Sequence, residues 1–182
     1  MKRLFQVLTC VAVAAIVAGC TGKKKSEDII VATVESPKPQ PPIRMQDYLQ
    51  MKDIVWLGKK YQVEIHRAPD DSLKMVKNEE GQKFVDNRIS IRVIRSDGSV
   101  FFNRSFTKGF FDKCLNDDYR NTGILEGLVF DRVDANNLLF AASVSHPQTD
   151  EYIPMILTLS NFGDVDIRLD SDMDTSGSNE EE

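Results

Sequence analysis

The chain has 182 residues, of which 41% are hydrophobic, with 28 acidic against 23 basic residues for a formal net charge of −5. That mildly acidic balance excludes the basic footprint of a nucleic-acid binder, and the apolar content is enough for one hydrophobic core. Three cysteines in a chain of this size exclude a scaffold built on disulfides.

The chain opens Met1-Lys2-Arg3, a short positive segment, followed by fourteen uncharged residues from Leu4 to Val17. That length fits a secretory apolar region of roughly 7–15 residues and falls short of the ~20 needed to span a bilayer as a helix. The segment ends Val17-Ala18-Gly19-Cys20, which resembles a bacterial lipobox. Small residues there admit a peptidase to the backbone, and the cysteine thiol takes the lipid. The expectation is a signal peptide over residues 1–19, with diacyl or triacyl modification of Cys20, palmitate among the chains. The competing readings are an ordinary cleaved signal peptide and a transmembrane anchor. Each acyl chain contributes roughly 0.8 kcal/mol per buried CH₂, so two or three chains hold a protein firmly where one does not. Thr21 and Gly22 follow the cysteine, and the lack of Asp there does not argue for inner-membrane retention. The expected address is the cell envelope at the outer membrane, with its periplasmic or surface face left open.

Lys23-Lys24-Lys25 could lie near anionic headgroups, or could simply begin a linker. Four of the seven prolines fall in Pro37-Lys38-Pro39-Gln40-Pro41-Pro42. Such a run favours an extended path of about 3.1 Å per residue. Residues 20–44 are therefore expected to be a lipidated N-terminus and spacer. Within them, Ile29-Ile30-Val31-Ala32-Thr33-Val34 is apolar enough for a strand against the edge of the domain.

Residues 45–170 are expected to form a single domain, and there the dominant period is two. Ile89, Ile91 and Val93 alternate with Arg88, Ser90 and Arg92; Val165, Ile167 and Leu169 alternate with Asp164, Asp166 and Arg168. Ile153, Met155, Leu157 and Leu159 do the same, with Ile156 the exception. This alternation marks strands with one buried face. Predicted strands run over 53–57, 60–66, 73–77, 84–95, 98–106, 124–133, 138–146, 151–160 and 163–169. Asp97-Gly98 predicts a two-residue type I′ hairpin, which needs positive φ at both positions. Asn136-Asn137 and Asn161-Phe162-Gly163 mark further turns. One short helix is predicted over 107–119. The fold class is all-β: an antiparallel meander closed as a barrel or folded as a sandwich.

Residues 164–182 hold eight acids and one base, so 171–182 is expected to be a disordered acidic tail. Without the signal peptide and this stretch, the remainder is balanced in charge. Cys10 leaves with the signal peptide and Cys20 is acylated, so Cys114 is the one remaining thiol, on an apolar spacing suited to burial.

Phe84-Val85-Asp86-Asn87-Arg88-Ile89-Ser90-Ile91, running into Arg95-Ser96-Asp97-Gly98-Ser99-Val100-Phe101-Phe102 and Phe106-Thr107-Lys108, forms one distinctive stretch. His146-Pro147-Gln148-Thr149-Asp150-Glu151-Tyr152-Ile153-Pro154 forms another. With the lipobox and the length, they resemble a family of uncharacterised Bacteroidetes lipoproteins classed as a domain of unknown function, over most of residues 55–170. The resemblance implies an envelope lipoprotein and transfers no activity, cofactor or catalytic residue.

Candidate chemistry is thin. His66, His146 and Cys114 cannot by themselves build a usual zinc site. Asp170-Ser171-Asp172-Met173-Asp174 has the spacing of a calcium loop, but Thr175 stands where such a loop needs glycine. Ser143, Ser145, His146 and Asp150 lie close in sequence without a nucleophile elbow. Phe101, Phe102, Phe106, Phe110 and Phe111 predict a helix plugging one end of the core; if exposed they would form a pocket or partner patch. No catalytic, metal or cofactor residue is assigned. The expected function is a non-enzymatic binding or structural module, held to a membrane through Cys20 and acting on an unknown protein or small ligand but not on nucleic acid. The alternative is a small envelope hydrolase using Ser145, His146 and Asp150, with ring-to-hydroxyl geometry as the discriminating observation.

Overall fold

A computed structural model describes residues 40–171. The predicted signal peptide, Cys20, the lysine run, the Ile29–Val34 segment and nearly all of the acidic tail lie outside those residues, as does most of the calcium-loop spacing.

Strand β1 (Tyr48–Trp56) turns into β2 (Lys59–Pro69), and after a tiny hairpin of β3 (Val76–Lys77) and β4 (Lys83–Phe84) come β5 (Asn87–Arg95) and β6 (Val100–Phe106). A 3-10 helix (Lys108–Cys114) and α1 (Asp117–Thr122) then cross to β7 (Ile124–Asp134), β8 (Asn137–Ser145), β9 (Tyr152–Ser160) and β10 (Val165–Leu169). One sheet has the order β1-β2-β5-β6 and the other β10-β9-β8-β7, every pair antiparallel. The meander is thus an open two-sheet sandwich, which decides between the two architectures that alternation allows.

The alternating residues meet in one core. Val63 and Ile65 on β2 and Ile89, Ile91 and Val93 on β5 face Leu138, Phe140 and Val144 on β8 and Met155, Leu157 and Leu159 on β9. Phe106 and Phe111 are fully buried at the end of this core, with Phe110 stacked edge-on between them at 4.9 and 5.5 Å. Phe102 and Phe110 are partly buried against the core, but Phe101 packs on Trp56 and Tyr61 near the β1–β2 turn, with centroids 5.3 and 6.3 Å away. The predicted single plug is thus divided between the two ends of the sandwich and forms no exposed patch.

Several boundaries depart from the alternation. The helix predicted over 107–119 is two segments, because Leu115 is extended (φ −102°, ψ 141°) with its side chain buried in the core. Asn116 then caps α1, its side-chain oxygen accepting from Tyr119 N at 3.0 Å. The strand predicted over 84–95 is broken at Val85 and Asp86, and the one predicted over 73–77 shrinks to Val76–Lys77. β1 starts five residues early, since Leu49 and Met51 are exposed and hide its alternation. Part of the predicted spacer belongs to the fold: Ile43 N donates to Lys83 O and Val85 N donates to Ile43 O, both at 2.9 Å.

The turns follow two designs. At Ser96-Asp97-Gly98 only Gly98 has positive φ (83°), and Gly98 N and Arg95 N close a three-residue loop onto Arg95 O and Ser99 O. This replaces the predicted type I′ turn, because Asp97 Oδ1 instead accepts from Ser99 N at 2.9 Å. Ser160 to Asp164 repeats the design around Gly163. Two-residue turns stand at Ala135-Asn136, where Ala135 has φ of 49°, and at Leu57-Gly58, with φ of 52° and 73°. A branched apolar residue there carries backbone strain. Bulges kink β6 at Phe101 and β7 at Glu126 and Asp131.

Leu57→Gly is expected to raise unfolding stability by about 1 kcal/mol, since the left-handed backbone penalty for an L-residue is of that order. Urea unfolding checks it; an unchanged or lower midpoint contradicts the strain.

Candidate functional site

Leu125, the second residue of β7, is fully buried, and its backbone meets the residues that break β5 from β4. Asp86 Oδ1 accepts from Leu125 N and from Asn87 N, each at 2.8 Å. Asn87 Nδ2 donates to Leu125 O at 2.9 Å. Two adjacent side chains therefore imitate a strand partner for one buried residue, across the gap between the sheets. Arg67 Nη1 adds a bond to Glu126 O at 2.7 Å, and Phe130 N donates to Gln50 Oε1 at 3.3 Å.

Asp86 is 4% exposed. Burial pushes its carboxyl above the ordinary aspartate value; the Leu125 and Asn87 N–H groups and the Lys108 charge oppose that shift. Lys108, opening the 3-10 helix, donates to Gly123 O at 2.6 Å. Burial lowers its ammonium pKa, Asp86 and Asp112 work against that, and Lys74 adds to it. Among the described residues no salt bridge joins Asp86 to Lys108. The two instead line one cavity of about 170 Å³, with Lys74, Thr107, Asn121 and Val76.

The histidine-bearing turn between β8 and β9 makes a second polar site. His146 stacks on Tyr119 with ring centroids 4.1 Å apart and planes 14° from parallel. Its Nδ1 lies 3.0 Å from Glu151 Oε2, and its Nε2 lies 3.2 Å from Asp118 Oδ2. The Nε2 contact has the distance of an ion pair without hydrogen-bond alignment. Burial, with Glu151 and Asp118, pushes the Tyr119 phenol up. This group floors a cleft of about 600 Å³ whose wall includes Glu79, Glu80 and Lys77 of the β3–β4 hairpin.

The structure divides Ser145, His146 and Asp150. Neighbours along a strand end, Ser145 and His146 open to different hollows: Ser145 and Asp150 share one of about 340 Å³ with Ser143 and Tyr152, while His146 floors the acidic cleft. Both histidine nitrogens face carboxylates and neither faces a hydroxyl. His66 lies at the surface, 3.5 Å from Asp47. Cys114 is half-buried against the core, and burial raises its thiol pKa. No group of three or more His, Cys, Asp or Glu among the described residues is placed to hold a metal ion.

Four of the polar residues meeting around Leu125 and the cavity, Asp86-Asn87 and Thr107-Lys108, come from two parts of the distinctive sequence stretch. The profile of a domain of unknown function, DUF4738, matches residues 28–167. The chain belongs to that family. No curated protein matches it. The DUF4738 match begins at Asp28, so it takes in the apolar Ile29–Val34 segment as well as the sandwich. Asp86 and Lys108 were not singled out by sequence. The available signal was the phase break at Val85-Asp86-Asn87, where apolar alternation stops for three residues between Phe84 and Ile89.

Asp86→Ala is expected to cost about 2–4 kcal/mol, because it leaves two buried N–H donors without their acceptor. Asp86→Asn keeps an acceptor and removes the charge. Since the folded carboxyl titrates above 3.8, the native state holds the extra proton in that window. Its contribution is present at low pH and is lost as pH rises through the folded pKa. The Asn variant should therefore gain stability relative to wild type as pH climbs from about 4 toward neutrality. A parallel pair of pH–stability curves from urea unfolding would contradict the assignment.

Proposed function

We propose that this DUF4738 protein is a Bacteroidetes-type envelope lipoprotein, acylated at Cys20 and held at the outer membrane. Its sandwich serves as a non-enzymatic binding module. The anchor rests on the ordered run of positive start, fourteen-residue apolar stretch and Val17-Ala18-Gly19-Cys20. Among the described residues no helix is long and apolar enough to cross a membrane.

The binding reading is carried by one observation: two opposite charges, Asp86 and Lys108, drawn out of bulk water to line a shared cavity without pairing. Burial disfavours the charged form of each group, so the fold keeps both at the cavity against that opposition. The hydrolase alternative gains nothing from the geometry, since His146 is engaged by Glu151 and Asp118 away from Ser145.

Intact-mass analysis of membrane-extracted full-length protein is expected to give a chain that begins at Cys20 and carries acyl mass. Cys20→Ser should abolish that mass and leave the protein extractable without detergent. A native chain that retains Met1–Gly19, or that begins elsewhere without lipid, overturns the anchor.

A further inference from the structure

The cavity around Asp86 has a chemistry more specific than general polarity. Its floor is a carboxylate, and only one of the two oxygens is consumed: Oδ1 accepts both Leu125 N and Asn87 N. Oδ2 has no hydrogen-bond partner among the described residues. One wall is the half-buried Lys108, whose Nζ has spent one of three donors on Gly123 O. The rim carries a second basic residue, Lys74, and Asn121, whose side-chain amide donates to Asp117 O. Thr107 also lines the cavity, and its hydroxyl makes no capping bond to the 3-10 helix that it precedes.

These groups sort by sign. An acceptor carboxylate lies at the bottom, while two cationic donors and a hydroxyl line the wall and rim. A pure anion would meet Asp86, and a pure cation would meet Lys108 and Lys74. A solute with both charges a few ångströms apart satisfies each side. The volume of about 170 Å³ is on the order of five or six water volumes, which suits a molecule of few heavy atoms.

We propose that this cavity binds a short zwitterion of the α-amino-acid class, its ammonium against Asp86 Oδ2 and its carboxylate between Lys108 and Lys74. The Thr107 hydroxyl gives that carboxylate one more donor. The apolar wall offered by Val76 favours a side chain no larger than a methyl group. This deepens the binding-module reading and is independent of the lipid anchor.

The test is equilibrium dialysis of the full-length chain in detergent against glycine, acetate and methylammonium separately. Glycine is expected to bind saturably, with acetate and methylammonium each at least tenfold weaker. Asp86→Asn, which keeps the acceptor for Leu125 N, should weaken glycine at least tenfold without weakening acetate. Lys74→Met, at an exposed position, should weaken both glycine and acetate severalfold. Folding of each variant is verified by urea unfolding. Acetate binding as tightly as glycine makes this a simple anion site and overturns the zwitterion. Glycine binding unaffected by either substitution places it elsewhere, and retention of none of the three probes overturns the site outright. Acyl mass is read on the same sample, so missing lipid with intact glycine binding sinks the anchor alone.

Discussion

Leu125 offers its N–H to Asp86 and its C=O to Asn87, and through that one residue the two sheets are set in register. Apolar packing between sheets is non-directional and would tolerate a slide; two hydrogen bonds to a single buried residue do not. Leaving either backbone group unpaired in this interior would cost about 1–3 kcal/mol. The clasp also fixes the chain path before β5. Asp86 must leave the strand ladder to reach Leu125, which is why β4 stops at Phe84 and β5 begins at Asn87. Arg67 at Glu126 and Gln50 at Phe130 continue the same seam down β7, so β7 is the line along which one sheet is fastened to the other.

The seam divides the molecule into unlike ends. Near Leu125 lie the β3–β4 hairpin, the 3-10 helix, α1 and the β8–β9 turn, and with them the Asp86 cavity and the His146 cleft. The tight turns that end β1, β5, β7 and β9 lie at the other end. Chain crossings demand side-chain bonds for their irregular backbone, whereas hairpins satisfy themselves locally. Buried polar groups therefore collect where the chain crosses between sheets, and a solute site has its raw material there.

Much of the fold was legible because half-buried strands write their inward face every second residue, as Ile89, Ile91 and Val93 do. What escaped was each place where a side chain bonded backbone. Asp97 converted a two-residue turn into three, Asp86 broke a strand, and Leu115 with Asn116 split a helix. Outward apolar residues blurred the start of β1. The cavity itself was invisible, since Lys74, Asp86 and Lys108 stand outside the strands, where no alternation marks them, and meet only when β3 pairs with β4 and β5 with β6. The histidine neighbourhood misled in the opposite way: Ser145 and His146 adjoin in sequence and diverge in space for that very reason.

Edge strands expose unpaired backbone that can recruit another chain, and three of the four edges of this sandwich are blunted. β6 and β7 are kinked by their extra residues, and β10 is only five residues long. β1 runs nine residues in unbroken register with β2, carrying Leu49, Met51 and Val55 on its outward side. Asp53 puts a charge on that outward side between Met51 and Val55, while Lys52, on the opposite face, lies over the Phe130 ring at 5.0 Å; both are exposed charges at the centre of the strand. Protection of the one long, unkinked edge against strand addition thus rests on two neighbouring charged side chains.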